Sequence, residues 1–283
     1  APDNRLCFIS DRDNWWNLYR WDPDSDQISA LLPMAAEFAT PLWVLGMSNY
    51  GFCDDGTLVC SYTQQGSWQL ATFPPGSQTL QPVSTDFTQI SDLYCEGNRA
   101  WLVGASATRG AELAQLDIGE RDTQPGQLRV LTRSSSPAIQ SGYLANPQSV
   151  SFPTSGRDIA HGFFYPPANP GFKGPANSPP PLIVVCHGGP TGATGSALNL
   201  KIQYWTSRGF AVLDVNYRGS TGYGRRYRQQ LQGQWGIVDV EDVTKVTVEG
   251  GRITEIGKEM DSYNAYDTGI FLCSLALFEA IDT

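Results

Sequence analysis

The sequence predicts an antiparallel β region of propeller-blade type, then a β-α-β unit of an open α/β sheet, then a short β-hairpin with a helix. Three observations carry that reading. Short alternating apolar and polar segments fill residues 1–150, seven prolines crowd residues 166–181, and the continuous apolar run Leu182–Cys186 stops at His187-Gly188-Gly189-Pro190.

In the first region the alternating segments are Asn17–Asp22, Thr57–Tyr62, Trp68–Phe73, Ala100–Ala105, Glu112–Ile118 and Gln127–Thr132, separated by turn residues. Gly56–Val83 has a hairpin across Gln64-Gln65-Gly66 and then a Pro/Gly loop, and Asn98–Leu131 repeats the pattern with a turn at Thr108-Arg109-Gly110. The interval from Val59 to Val103 falls in the ~40–50 residue range of a four-stranded blade. Two to three blades are expected, the alternative being a sandwich made of the same hairpins. The prolines of 166–181 forbid a helix or a central strand, which makes this stretch an extended connection at a domain boundary.

Beyond it, Leu182–Cys186 and Phe210–Val215 read as buried parallel strands. Leu198, Ile202 and Trp205 mark one face of the helix between them, which stops at Arg208-Gly209. Thr244–Val248 and Arg252–Ile256 flank Glu249-Gly250-Gly251 as a hairpin, Gly269–Cys273 reads as a strand, and Ser274 is placed to cap a helix through Ile281.

Composition limits what the chain can do. Of 283 residues, 41% are hydrophobic and 17% charged, enough apolar content for a core. No apolar stretch approaches the ~18 residues of a membrane span. A net charge of −9 disfavours nucleic acid as a partner. The six cysteines (7, 53, 60, 95, 186, 273) include no CxxC pair, and two histidines give no zinc spacing, so reduced thiols in a cytoplasm and no cofactor are expected. The chain opens on Ala1 without a signal-like segment, as a mature product or a fragment would.

The chemistry concentrates at two strand ends. In the loop His187-Gly188-Gly189-Pro190 the glycines leave backbone N–H groups unobstructed, an arrangement that stabilises a developing negative charge, the alternative being a tight turn needed only for packing. His187 reads as a hydrogen-bonding residue that orients this loop. Asn216-Tyr217-Arg218 ends the second strand, where open α/β sheets bind ligands. The glycines that follow fit neither a dinucleotide fingerprint nor a Walker loop. The arginines after them (225, 226, 228) read as a solvated helix start paired with Asp239, Glu241 and Asp242, and His161 reads as structural. No G-x-S-x-G occurs and no histidine follows Tyr217, so these residues hold no nucleophile elbow and no triad base.

The segments WWNLYRWD (15–22), AEFATPLWVLG (36–46), SFPTSGRDIAHGFFYPP (151–167), PPLIVVCHGGPTGAT (180–194), QYWTSRGFAVLDVNYRGSTGYGRRYR (203–228) and LQGQWGIVDVEDV (231–243) resemble the prolyl oligopeptidase family of serine peptidases, in its acylaminoacyl-peptidase or dipeptidyl-peptidase-like branch. The resemblance spans residues 1–243. It implies a partial β-propeller over 1–150, a connecting strand and Pro-rich linker over 151–181, and the start of an α/β-hydrolase domain over 182–243. The implied substrates are short peptides or acylated N-termini. Gly189 is the implied oxyanion donor, with His187, Gly188 and Pro190 shaping the loop and Asn216, Tyr217 and Arg218 bordering the pocket.

Residues 245–281 resemble instead sugar-phosphate and inositol-phosphate nucleotidyltransferases, in which the aspartate of a DTG motif helps hold a divalent metal, implying that role for Asp267. The expectation is a peptidase segment joined near Val243–Thr244 to an unrelated tail. Such a chain is expected to be inactive alone and to self-associate through exposed sheet edges.

Overall fold

A computed structural model describes residues 5–43, 45–119, 126–134, 139–175 and 179–243, and beyond them the backbone of four strands. The chain divides into two compact units, Ala1–Ser136 with Gly222–Arg226, and Pro137–Thr221 with Tyr227–Thr283.

The first unit is three successive antiparallel meanders. Strands β1 (Leu6–Ser10), β2 (Asn17–Asp22) and β3 (Gln27–Ala30) form the first. The second runs β4 (Tyr50–Phe52), β5 (Leu58–Gln64), β6 (Ser67–Phe73) and β7 (Gln81–Pro82), and the third β8 (Gln89–Glu96), β9 (Arg99–Ser106), β10 (Arg109–Asp117) and β11 (Gln127–Arg133). Gln65 and Gly66 both take positive φ, 52° and 78°, so the β5–β6 hairpin turns at the predicted residues.

Strand alternation explains how the sheets stack. Leu58, Cys60 and Tyr62 of β5 face a cluster with Leu18 and Phe38, while Val59 and Leu70 face a second cluster with Ile90, Leu102 and Leu116. The middle sheet thus buries both faces, one against each neighbour. Three antiparallel sheets stand where two to three blades were expected, and the described residues do not close a propeller.

In the second unit one mixed sheet has the order β12–β13–β15–β14–β19–β18. Its members are β12 (Gln148–Pro153), β13 (Ile159–Tyr165), β14 (Leu182–Cys186), β15 (Ala211–Asn216), β18 (Ala265–Asp267) and β19 (Leu272–Ser274). A hairpin of β16 (Val246–Glu249) and β17 (Arg252–Ile256) stands apart from it in pairing. The expected β-α-β unit is present, with β14 parallel to β15 in the register Leu182↔Ala211 to Cys186↔Val215.

Helix α1 (Leu200–Thr206) joins them, capped by the Asn199 side chain, which accepts the Lys201 N–H. Gly209, at φ 92°, takes the left-handed conformation that ends the helix. Leu198, expected on the helix face, precedes the helix, whereas Ile202 is buried in it. Leu182, Val184, Leu213 and Val215 point into one core and Ile183, Val212 and Ile202 into the other, so the continuous apolar strands are covered on both faces.

Two short helices complete the unit's described part: α2 (Arg225–Gln229), which begins in the segment grouped with the first unit, and α3 (Val238–Glu241). The Pro-rich stretch 166–181 lies within the second unit. The predicted tail hairpin is formed by β16 and β17, and the predicted strand at 269–273 corresponds to β19. Ser274 belongs to that strand, and the helix expected after it lies outside the described residues. No helix among the described residues is long and apolar enough to cross a membrane.

Candidate functional site

At the carboxyl end of β14 a cleft of about 240 Å³ opens between His187, Gly188, Gly189, Tyr217, Trp235 and Asp239. The loop of 187–190 is held from three sides. The His187 ring stacks on Tyr217, with centroids 4.4 Å apart and planes inclined 21°. The Tyr217 hydroxyl donates to the Gly189 carbonyl at 2.8 Å. Gly189 takes φ 76°, where a Cβ would be strained although space is open.

Hydrogen bonds hold the His187 ring. The Ser220 hydroxyl donates to the Tyr217 carbonyl at 2.7 Å, and His187 Nε2 lies 2.7 Å from the same hydroxyl oxygen. On the other side Nδ1 lies 3.4 Å from the Gly188 carbonyl. Burial holds the His187 pKa below its ordinary value, offset in part by the Gly188 carbonyl, so the ring is neutral at pH 7. Both ring nitrogens thus face oxygens of the loop and its neighbour Ser220, which supports an orienting role. Behind the ring, a Cβ on Gly192 would stand 2.7 Å from His187 Nδ1, so only glycine lets the loop pass there.

The loop is also latched to β15. Asn216 accepts the Thr194 N–H at 2.8 Å and donates to the Thr194 carbonyl at 3.2 Å, while Asp214, two residues earlier on the same strand face, accepts the Thr194 hydroxyl. Burial raises the Asp214 pKa to about 6, against the opposing bond from Thr194. Desolvation likewise lifts the Tyr217 phenol to about 12, keeping it a donor toward Gly189.

His187, Gly188, Gly189 and Tyr217 therefore meet at one cleft. The side chains of Asn216 and Arg218 are engaged elsewhere. Asn216 is buried against Thr194, and Arg218, 3% exposed, anchors the strand end to α3. Its guanidinium pairs with Asp158 at 3.2 Å, Glu241 at 3.0 Å and Asp242 at 2.8 Å, and its backbone N–H donates to Asp242 at 2.7 Å. Burial opposes the Arg218 charge, but hydrogen bonds and charge from Asp242, with Glu241 and Asp158, raise its pKa. Thr154 adds a 2.6 Å bond to Asp242, and Ser155 donates to Glu241.

Glu241 and Asp242 were assigned by sequence to the later arginines; in the structure Arg218 holds them, because its position at the end of β15 faces α3. Arg225 lies 3.8 Å from Asp11 instead. His161, packed 5.1 Å from Tyr227 and 2.8 Å from the Ser151 hydroxyl, has its pKa lowered to about 4 by burial. The wall residues Cys186, Trp235 and Asp239 were not singled out by sequence as part of the cleft, although Cys186 immediately precedes the glycine loop. Asp267 ends β18, whose side chains lie outside the described residues, and the described residues contain no group of three His, Cys, Asp or Glu side chains able to hold a metal.

Residues 196–250 match the prolyl oligopeptidase family, peptidase S9, and that match runs past Val243 into the segment read as an unrelated tail. The fold is similar to that of puromycin hydrolase, at TM-score 0.76 and 38% identity over 86% of this chain and 36% of that one. A puromycin-hydrolyzing peptidase of Mycobacterium tuberculosis gives TM-score 0.77 and 34% identity over 85% of this chain and 36% of that one. Dipeptidyl aminopeptidase BIII of Pseudoxanthomonas mexicana is 34% identical over 100 residues, 34% of this chain and 14% of the relative. The chain thus spans about a third of the solved structures it resembles, and its alignment with that curated relative covers a smaller share still. None of these matches bears on the nucleotidyltransferase resemblance of residues 245–281. Sequence match, relatives and fold together support the prolyl oligopeptidase family of serine peptidases for this chain.

Proposed function

We propose that this chain carries the oxyanion corner of a serine-type peptidase acting on short peptides or acylated N-termini. The observation that carries the reading is the exposed Gly188-Gly189 backbone in the cleft beyond β14, with the Gly189 carbonyl tied back by Tyr217. In this role the Gly189 N–H donates to the carbonyl oxygen of the scissile bond as it gains charge. One such donor contributes about 3–4 kcal/mol to transition-state stabilisation. His187 and Thr194 hold the loop, and the neutral imidazole adds no charge of its own. Nucleophile, acid and base lie outside these residues, since the sequence has no G-x-S-x-G and no histidine beyond His187.

In the same reading the first unit is a partial propeller that filters substrates, β12 and β13 belong with β14 and β15 to the sheet of the hydrolase part, and the place of action is the cytoplasm. Self-association through exposed sheet edges belongs to it as well; light scattering is expected to give a mass above the monomer, and a compact monomer would remove this element.

Activity is tested with a fluorophosphonate probe and a peptidyl anilide on the 283-residue chain. No labelling and no turnover are expected, alongside saturable binding of an N-acylated peptide. Stoichiometric labelling of any serine would show a nucleophile that the reading excludes.

A further inference from the structure

We propose that Cys53 and Cys95 form an oxidisable dithiol, a site at which hydrogen peroxide closes a disulfide across the seam between the second and third sheets of the first unit. Cys53 directly follows β4, and Cys95 lies near the end of β8, each strand an edge of its own sheet. Three hydrogen bonds hold the two segments side by side. Leu93 N–H donates to the Ser48 carbonyl at 3.0 Å, Asp54 N–H to the Gly97 carbonyl at 2.9 Å, and Asp55 N–H to Asn98 Oδ1 at 3.2 Å. Between these ties Cys53 lies in an apolar cluster and Cys95 packs against it, near enough that each shifts the other's titration.

Gly51 makes the room: a Cβ there would sit 2.7 Å from Cys95 Sγ. Both cysteines are free thiols, Cys53 buried and Cys95 partly exposed, so a small oxidant approaches from the Cys95 side. Cys95 holds the Cys53 pKa below the ordinary thiol value, against burial, and Cys53 raises that of Cys95. Cys60 makes the contrast, its thiol fully buried and pushed up to about 12.

The reaction balances with one peroxide per pair. The two S–H bonds and the O–O bond break, one S–S bond forms, and the sulfurs' protons leave on the two oxygens as two waters. The disulfide would close a loop of about 40 residues, long enough to restrict the unfolded chain appreciably.

The test oxidises the reduced, folded chain with hydrogen peroxide, alkylates it under denaturing conditions and maps its peptides without reductant. A linked Cys53–Cys95 peptide and an intact mass lower by two hydrogens are expected. The unfolding midpoint should rise by about 5 °C or more and return on reduction with dithiothreitol. Cys95→Ser should lose both the linked peptide and the midpoint rise. The wild-type map decides the matter alone if that variant does not fold. Recovery of the two cysteines as alkylated thiols, as sulfinic acids or bridged to other partners would overturn the proposal.

Discussion

His161 and Asp214 face each other's titration range with opposite signs. The His161 pKa falls from 6.5 to about 4 in the folded chain, so between those values the unfolded chain takes up a proton that the folded chain refuses. Its contribution to stability is complete above pH 6.5 and is lost as pH falls toward 4. For Asp214, raised from 3.8 to about 6, the folded chain binds the proton first, and stability grows as pH falls through the same window. His161→Gln should therefore make the chain gain stability, relative to the parent, between pH 6.5 and 4, by on the order of 1–2 kcal/mol for a partly exposed ring. Asp214→Asn should make the parent's acid loss steeper. Urea unfolding at several pH values reads both as differences, so packing lost in each variant cancels.

Arg218 gives the largest expected single-residue effect. Arg218→Met would leave the fully buried Asp242 without its guanidinium and should cost about 3–5 kcal/mol in unfolding free energy. An effect below about 1 kcal/mol would show that Asp242 finds other partners. Sequence reasoning placed Arg218 at the pocket and paired Glu241 and Asp242 with other arginines. Periodicity identifies a strand end, yet it does not say toward which side a long side chain turns there.

At the scale of elements, hydrophobic alternation identified the central strands of the first unit closely. Asn17–Asp22 was read with its observed bounds, and Trp68–Phe73 and Ala100–Ala105 fell within one residue at each end of the strands formed. The strands that escaped are of two kinds. β1, β3, β4, β7, β12 and β18 are edge strands of two to six residues, too short to register a period, and β8 is interrupted by a register shift between Ser91 and Tyr94 that breaks the alternation. The parallel pair β14 and β15 was legible because burial on both faces removes polar positions altogether.

Where β13 meets β15, Gly162 is required by proximity: a Cβ would lie 2.7 Å from the Asp214 carbonyl oxygen. Gly162→Ala should destabilise the second unit by about 1–3 kcal/mol, seen as an earlier melting transition. A neutral effect would mean that the two strands separate without loss.

Over the whole molecule, two units with their own apolar clusters account for the change in sequence pattern between the alternating strands and the continuous parallel strands. The glycine loop was legible because HGGP is a local pattern. What latches it was not, since Thr194 meets Asp214 and Asn216 only through the β-α-β crossover, and Ser220 reaches His187 from the far strand end. Gly192→Ala tests whether that support matters for binding, since its Cβ would push on His187; the affinity for an N-acylated peptide should fall about tenfold.

The most direct test of the proposed oxyanion corner is nuclear magnetic resonance of the chain carrying isotope-labelled glycine, titrated with an N-acylated peptide amide. The Gly189 amide should move with a saturating shift, with Gly188 following and Gly209, at the far end of α1, unmoved. Saturable binding with the Gly189 amide unchanged would contradict the assignment of that N–H to the substrate carbonyl.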